Sequence, residues 1–174
     1  MLYPSNDLRR GRRRLEEIEE ISIIDDLTWD NEYKCFFICV SVQLDKEYPQ
    51  FPKITKWYIT IDSSYPLGEI SIYPSNSNGI NCTFPHQLNN YFIAKNNLWR
   101  LGKICLDFSL RNLGMRSPEK EPFTTDERLF WHAKRAVMWI QCAAKNELVS
   151  PGDYFELPDY TSQHTEVFAF NEDI

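Results

Sequence analysis

Residues 101–107 read Leu-Gly-Lys-Ile-Cys-Leu-Asp, and this stretch carries the candidate nucleophile, Cys105. The thiolate is the reactive form of cysteine, and an ordinary cysteine thiol has a pKa of about 8.5. Lys103 lies two residues before Cys105 and either favours the thiolate or is simply solvated. The other cysteines are predicted to be core or inert residues, because free cysteine is commonly buried. They are Cys35, Cys39, Cys82 and Cys142.

Upstream of this stretch, the sequence predicts a helix followed by a meander of strands. The helix covers residues 7–20, with Leu8, Leu15 and Ile18 on one apolar face. Runs rich in β-branched and aromatic residues, separated by turns that contain Gly, Pro and Ser, predict the strands. They cover residues 33–44, 54–62 and 69–73, with a short fourth run at 80–84. Sequential strands with short connections favour an antiparallel sheet.

Downstream, residues 85–114 form a long stretch without clean periodicity, which is typical of a functional loop. A C-terminal helix is predicted over residues 125–145, because apolar residues recur there at helical spacing and Thr124 and Glu127 have the spacing of a capping box. Residues 159–174 are predicted to form a loose acidic tail. With no repeat and no linker, residues 1–174 are interpreted as a single α+β domain.

The composition excludes several classes of protein. A net charge of −6 over 174 residues argues against broad electrostatic binding to nucleic acid. Five cysteines without a C-x-x-C pair argue against a disulfide framework and a zinc site, so no metal or other cofactor is expected. No apolar run reaches the roughly 18 residues of a membrane span, and the N-terminus lacks the apolar core of a secretory signal. A cytoplasmic protein without a membrane partner is expected.

An arginine-rich run lies in the first predicted helix and is followed by glutamates. It comprises Arg9, Arg10, Arg12, Arg13 and Arg14, then Glu16, Glu17, Glu19 and Glu20. In a helix over residues 7–20, this order opposes the helix dipole, which favours acidic residues first. The run is either a solvated face or a docking surface for an acidic partner.

A cysteine hydrolase would need a histidine base beside Cys105, oriented by a third group. The chain contains His86, His132 and His164, and their spacing pairs none of them with the cysteine. The hydrolase interpretation is therefore disfavoured.

The order of these features resembles the ubiquitin-conjugating enzyme family over residues 7–146. In that family a Tyr-Pro turn follows the third strand, as at residues 64–67 here, and the active cysteine lies in a Gly-x-Ile-Cys-Leu-Asp motif, as at residues 102–107. The resemblance implies a ubiquitin-conjugating-enzyme-like fold in which a long active-site loop carries the cysteine. It also implies that Cys105 accepts an acyl group as a thioester.

The family also has a His-Pro-Asn group before the cysteine, whose asparagine supports the loop and the oxyanion. In this chain a Pro-His pair ends at His86, 19 residues before Cys105, so either an insertion separates the two or the function has moved. By spacing, Asn97, eight residues before Cys105, takes the place of the family's asparagine; by motif, Asn89 or Asn90 does. The candidate catalytic residues are Cys105, His86 and Asn97, with the other two asparagines as alternatives.

The C-terminal part, with Trp131, Trp139 and the Tyr-Phe-Glu-Leu-Pro sequence at 154–158, is similar to ubiquitin-conjugating-like proteins of bacterial antiphage operons. The resemblance implies that a protein modifier, or a cyclic-oligonucleotide synthase (a nucleotidyltransferase) of the same operon, passes its C-terminus through the cysteine to an amine. It also implies a separate activating enzyme, or a system that works without one. The alternative is a non-catalytic binding module on the same fold that scaffolds a partner protein.

Overall fold

The structure, a computed structural model, describes residues 2–92, 97–106 and 120–149. It confirms the predicted α+β arrangement of an N-terminal helix, a four-stranded antiparallel sheet and a C-terminal helix. The helices are α1 (Asn6–Arg14), which continues into a 3₁₀ turn (Leu15–Glu17), and α2 (Arg128–Lys145). The strands, in the order of the chain and of the sheet, are β1 (Ile21–Asp30), β2 (Cys35–Gln43), β3 (Ile54–Asp62) and β4 (Ile70–Pro74). The predicted tail at 159–174 lies outside the described residues.

The fourth strand of the sheet is not the one that the sequence predicts. Residues 80–84 form no strand, and the carbonyl groups of Ile80 and Cys82 instead accept hydrogen bonds from the side chain of Asn90. The strand that completes the sheet is instead β1, which comes first in the chain and lies at the sheet edge. It has no fully buried side chain, and its pairing with β2 shifts register on either side of Asp25. These irregularities remove the alternation of apolar and polar residues by which a half-buried strand is predicted.

Both helices are shorter than predicted. The α-helical part of α1 ends at Arg14, so its arginines occupy the last turn and Asp7 the first, which favours the helix dipole. The predicted conflict with the dipole is therefore wrong. Helix α2 begins at Arg128, and the capping box expected at Thr124 and Glu127 does not form, because Glu127 makes no side-chain capping bond. Within the described residues, no helix has the length and apolarity that crossing a membrane requires.

The two faces of the sheet carry different cores. Alternate residues of β2 point to opposite faces, so Ile38 joins the core beneath the helices whereas Phe37 joins a smaller cluster on the outer face. On the helix side, Trp57 of β3 meets Trp139 of α2 edge to face, with 6.2 Å between ring centroids. The outer cluster consists of Phe37, Cys39, Tyr58, Tyr73 and Trp99. Of these, Trp99 belongs to none of the four strands, and it comes from the loop that leads to Cys105.

Candidate active site

The residues around Cys105 form an extended segment along the free edge of β4. We call residues 98–106 the cysteine segment. The backbone N–H of Arg100 donates to the carbonyl of Pro74 at 2.9 Å, and that of Ile104 donates to the carbonyl of Ile72 at 3.0 Å. Ile104 is buried in the core, whereas Cys105 is exposed. The sheet edge therefore holds the backbone while the thiol faces solvent.

The opposite side of the cysteine segment pairs with the residues that follow Pro85. The backbone N–H of Cys105 donates to the carbonyl of His86 at 2.8 Å, and the N–H of Leu88 donates to the carbonyl of Lys103 at 2.9 Å. His86 has a φ of 56°, and a proline followed by a residue of positive φ is typical of a type II turn. The structure thus brings His86 directly across from Cys105, although the two lie far apart in the sequence.

A buried glutamine, which the sequence analysis missed, joins the two sides. The Nε2 group of Gln87 donates to the carbonyl of Gly102 at 2.9 Å, and its Oε1 accepts from the N–H of Phe84 at 3.0 Å. A Cβ at position 102 would lie 2.7 Å from both Gln87 Nε2 and Asn90 Cβ. The glycine of the motif is therefore required for close approach of these side chains.

Asn90 is the asparagine that holds the loop together. Its Nδ2 group donates to the carbonyls of Ile80 and Cys82, each at 2.9 Å, and its Oδ1 accepts from Arg100 Nε at 2.8 Å. Arg100 also donates to the backbone carbonyl of Asn90 at 3.0 Å. Since Asn90 is buried and both ends of its amide are bonded, it supports the loop structurally.

The other two candidate asparagines lie in different surroundings. Asn97 has its backbone carbonyl bonded to the side chain of Asn76 and its own side chain near the phenol of Tyr33, beyond the far end of β4 from the cysteine. Asn89 accepts a hydrogen bond from Thr83 Oγ1 at 3.4 Å. Of the three catalytic candidates, the structure brings His86 next to Cys105 but does not bring Asn97 there. The catalytic roles themselves stay predictions.

Lys103 is engaged by an ion pair. Its Nζ lies 2.6 Å from Glu69 Oε1, and the same oxygen accepts from Ser71 Oγ at 2.7 Å. The hydrogen bond from Lys103 is the main cause that lowers the pKa of the Glu69 carboxyl. The charge of Lys103 is thus balanced by Glu69 at the start of β4.

The remaining cysteines contrast with Cys105. Cys39 and Cys142 are buried, as predicted, and Cys35 and Cys82 are partly buried. Burial raises the pKa of all four thiols, in the case of Cys35 to about 11. A raised pKa keeps a thiol protonated and unreactive. Of the five cysteines, Cys105 is therefore the exposed one, whereas the other four are buried or partly buried.

Helix α2 fixes the residue after the cysteine. Arg135 is 6% exposed and its Nε donates to the carbonyl of Leu106 at 2.7 Å. One turn earlier, His132 Nε2 lies 2.8 Å from Glu121 Oε1, and burial lowers the pKa of this histidine. Glu121 Oε1 also accepts from Arg128 Nε at 2.6 Å. Of these partly buried contacts, the one between Arg135 and Leu106 spans 29 residues of sequence, so no local pattern indicated it.

Some predicted features fall on residues that the structure does not describe. They are residues 93–96 and 107–114 of the predicted loop, Asp107 of the motif and His164. Within residues 2–92, 97–106 and 120–149, no group of three or more His, Cys, Asp or Glu side chains could hold a metal ion.

A helix–sheet–helix α+β fold with an exposed cysteine on a loop at the sheet edge is the arrangement expected of a ubiquitin-conjugating-like domain. A curated relative agrees: over 124 residues, or 71% of this chain, the sequence is 32% identical to the ATP-dependent ubiquitin transferase-like protein Cap2 of Enterobacter hormaechei subsp. hoffmannii (strain UCI 50). This similarity confirms the resemblance recognised from the motif. The matched region is 21% of the relative, so the chain spans about a fifth of its length. No protein-family model matches the chain.

Proposed function

We propose that Cys105 accepts the C-terminal carboxyl group of a partner protein as a thioester and transfers it to an amine. The observation that carries the proposal is the contrast between one exposed thiol and the fixed backbone on either side of it, with the Cys105 N–H bonded to His86 and the Leu106 carbonyl bonded to Arg135. Nucleophilic catalysis needs a reactive atom that is accessible and held in one place. The similarity to a ubiquitin transferase-like protein supports the same chemistry.

The proposed reaction has two acyl transfers. The Cys105 thiolate attacks a carboxyl group that is already activated as a thioester, a new C–S bond forms, and the donor thiolate leaves. An amine then attacks the Cys105 thioester, a C–N bond forms, the Cys105 thiolate leaves, and the amine loses a proton to solvent. Each step passes through an oxyanion, and one hydrogen-bond donor to it is typically worth roughly 10²–10³ in rate. The Cys105 N–H is already bonded to the His86 carbonyl. Because His86 is the catalytic candidate whose backbone lies across from Cys105, we propose its side chain as the donor.

We infer that the partners are a protein modifier or a nucleotidyltransferase of the same bacterial operon, with a role in antiphage defence, and a separate activating protein.

The arginines of α1 offer a docking surface that contains fewer arginines than the sequence suggested. Arg10, Arg12 and Arg14 form ion pairs with carboxylates of the chain itself. Arg9 and Arg13 are exposed and lie one turn apart. We propose that these two arginines meet an acidic surface of the activating partner.

The proposal is tested by intact mass spectrometry under non-reducing conditions, on protein recovered from cells that also express its operon neighbours. We expect an adduct on the wild type that thiols remove, a thiol-resistant ester on Cys105→Ser, and no adduct on Cys105→Ala. Cys82→Ser, which changes a partly buried thiol, serves as the matched control and should keep the adduct. If neither the wild type nor Cys105→Ser carries an adduct, but Cys105→Ala still copurifies with a partner, the chain is a binding module.

A further inference from the structure

Trp99 packs the cysteine segment onto the outer face of the sheet. It is 5% exposed, although it belongs to a loop. Its ring centroid lies 5.5 Å from that of Tyr58 on β3, 5.9 Å from that of Phe37 on β2, and 6.1 Å from that of Tyr73 on β4, with the last pair stacked. It also lies 5.1 Å from the ring of Tyr33, in the turn between β1 and β2. A single side chain of the loop therefore contacts rings from three strands and a turn.

The backbone of the cysteine segment is held by hydrogen bonds on both sides, but its pairing with β4 is discontinuous. The segment forms only isolated bridges, at Ser75–Trp99 and at Gln87–Ile104, rather than a continuous ladder. Between Trp99 and Cys105, the bonds to β4 are those of Arg100 and Ile104. Because the pairing with β4 is discontinuous, buried side chains add to what orders the segment on the sheet. Trp99 is the buried ring that does so on the outer face, six residues before the thiol.

We propose that Trp99 is a positioning residue for Cys105, which fixes the cysteine segment on β4 and so sets the rate of acyl transfer. The inference rests on the proposed function for its rate readout, but the anchoring itself does not. Trp99 lies on the outer face of the sheet, so it acts on the reacting atoms indirectly, through the backbone of the cysteine segment. Its loss should therefore reduce the rate of the chemical step and leave donor affinity unchanged, since small displacements of a reacting group cost up to about 10²-fold in rate.

The experiment compares Trp99→Ala with Trp99→Phe, which keeps an aromatic ring, and with Trp29→Ala. Trp29 contacts Phe36 with 5.0 Å between ring centroids at the opposite edge of the sheet, so its removal controls for the loss of an aromatic side chain. The first readout is hydrogen exchange of the amides of Ile104 and Cys105, which donate to Ile72 and His86. The second is single-turnover acyl transfer from a donor thioester to Cys105, measured at several donor concentrations.

We expect Trp99→Ala to exchange both amides about tenfold faster and to lower the maximal transfer rate about tenfold, with half-saturation unchanged. Trp99→Phe should restore both readouts, and Trp29→Ala should alter neither, although it lowers thermal stability. If Trp99→Ala does not fold, Trp99→Leu replaces it with the same expectations.

Three results would overturn the inference. The first is amide exchange at the wild-type rate in a folded Trp99→Ala or Trp99→Leu protein. The second is an unchanged maximal rate of acyl transfer despite faster amide exchange. The third is a change in half-saturation alone, which would indicate direct contact with the donor. Failure of the wild type to form any thioester would instead overturn the proposed function, and the exchange measurement would still decide whether Trp99 anchors the segment.

Discussion

Replacement of Asn90 by alanine is expected to destabilise the protein by about 3 kcal/mol. The substitution removes three side-chain hydrogen bonds, two to the carbonyls of Ile80 and Cys82 and one from Arg100. Each such bond is worth about 1 kcal/mol net, and a buried group left without a partner costs 1–3 kcal/mol, so about 3 kcal/mol is a conservative sum. That loss corresponds to about 150-fold in the unfolding equilibrium, and to a fall of about 6–12 °C in melting temperature for a chain of this size.

The assay is urea unfolding followed by tryptophan fluorescence, with Asn97→Ala and Asn90→Asp beside Asn90→Ala. Asn97 is only partly buried, so its replacement should cost less than 1 kcal/mol. Asn90→Asp keeps the shape and the contact with Arg100 but sets a carboxylate oxygen against two carbonyl oxygens, so it should also destabilise. An Asn90→Ala protein within 0.5 kcal/mol of the wild type would refute the structural role assigned to this residue.

Three further predictions follow from the site. Gly102→Ala should destabilise by about 1–3 kcal/mol in urea unfolding, because the added Cβ would lie 2.7 Å from Gln87 Nε2; a neutral effect would mean that this packing is loose. Cys105 should be alkylated fastest of the five thiols by iodoacetamide under native conditions, as read by peptide mapping, because it is exposed and burial raises the pKa of the others; first labelling at any other cysteine would contradict this. Burial lowers the pKa of His132 in the folded state, so the folded protein binds fewer protons than the unfolded chain below pH of about 6.5. The free energy of unfolding should therefore reach its plateau above that pH and fall as the pH drops towards 5, and the fall should be shallower in His132→Gln. An equal slope in both proteins would argue against this role of His132.

The sequence predicted the parts of the fold that depend on local pattern. Strands β2 and β3 alternate between two buried faces, and α2 carries a long apolar stripe, so both signals are strong. Strand β1 was not predicted because it lies at the sheet edge, carries exposed acidic residues and contains register shifts. Residues 80–84 contain strand-forming residues, but the Asn90 side chain takes the backbone groups that a strand would use.

The candidate site was only partly accessible to sequence reasoning. The motif identified Cys105, and the structure presents it to solvent. The positions of Asn90 and Asn97 relative to Cys105 depend on how the loop folds back on itself, and spacing along the sequence does not predict this. Gln87 and Arg135 contact the cysteine segment across 15 and 29 residues of sequence, and neither contact leaves a local pattern. Long-range hydrogen bonds of this kind become visible only when the chain is folded.

The central claim, that Cys105 carries an acyl group, is tested most directly by peptide mapping of the Cys105→Ser protein from cells that contain its partners. Trypsin releases residues 104–111 as one peptide, in which position 105 is the only cysteine position. We predict a fraction of this peptide that carries, through an ester at residue 105, the C-terminal remnant of a partner protein, and the corresponding thioester in the wild type. A remnant attached only to Lys103 or to another side chain, or an unmodified peptide in both proteins, would contradict the claim.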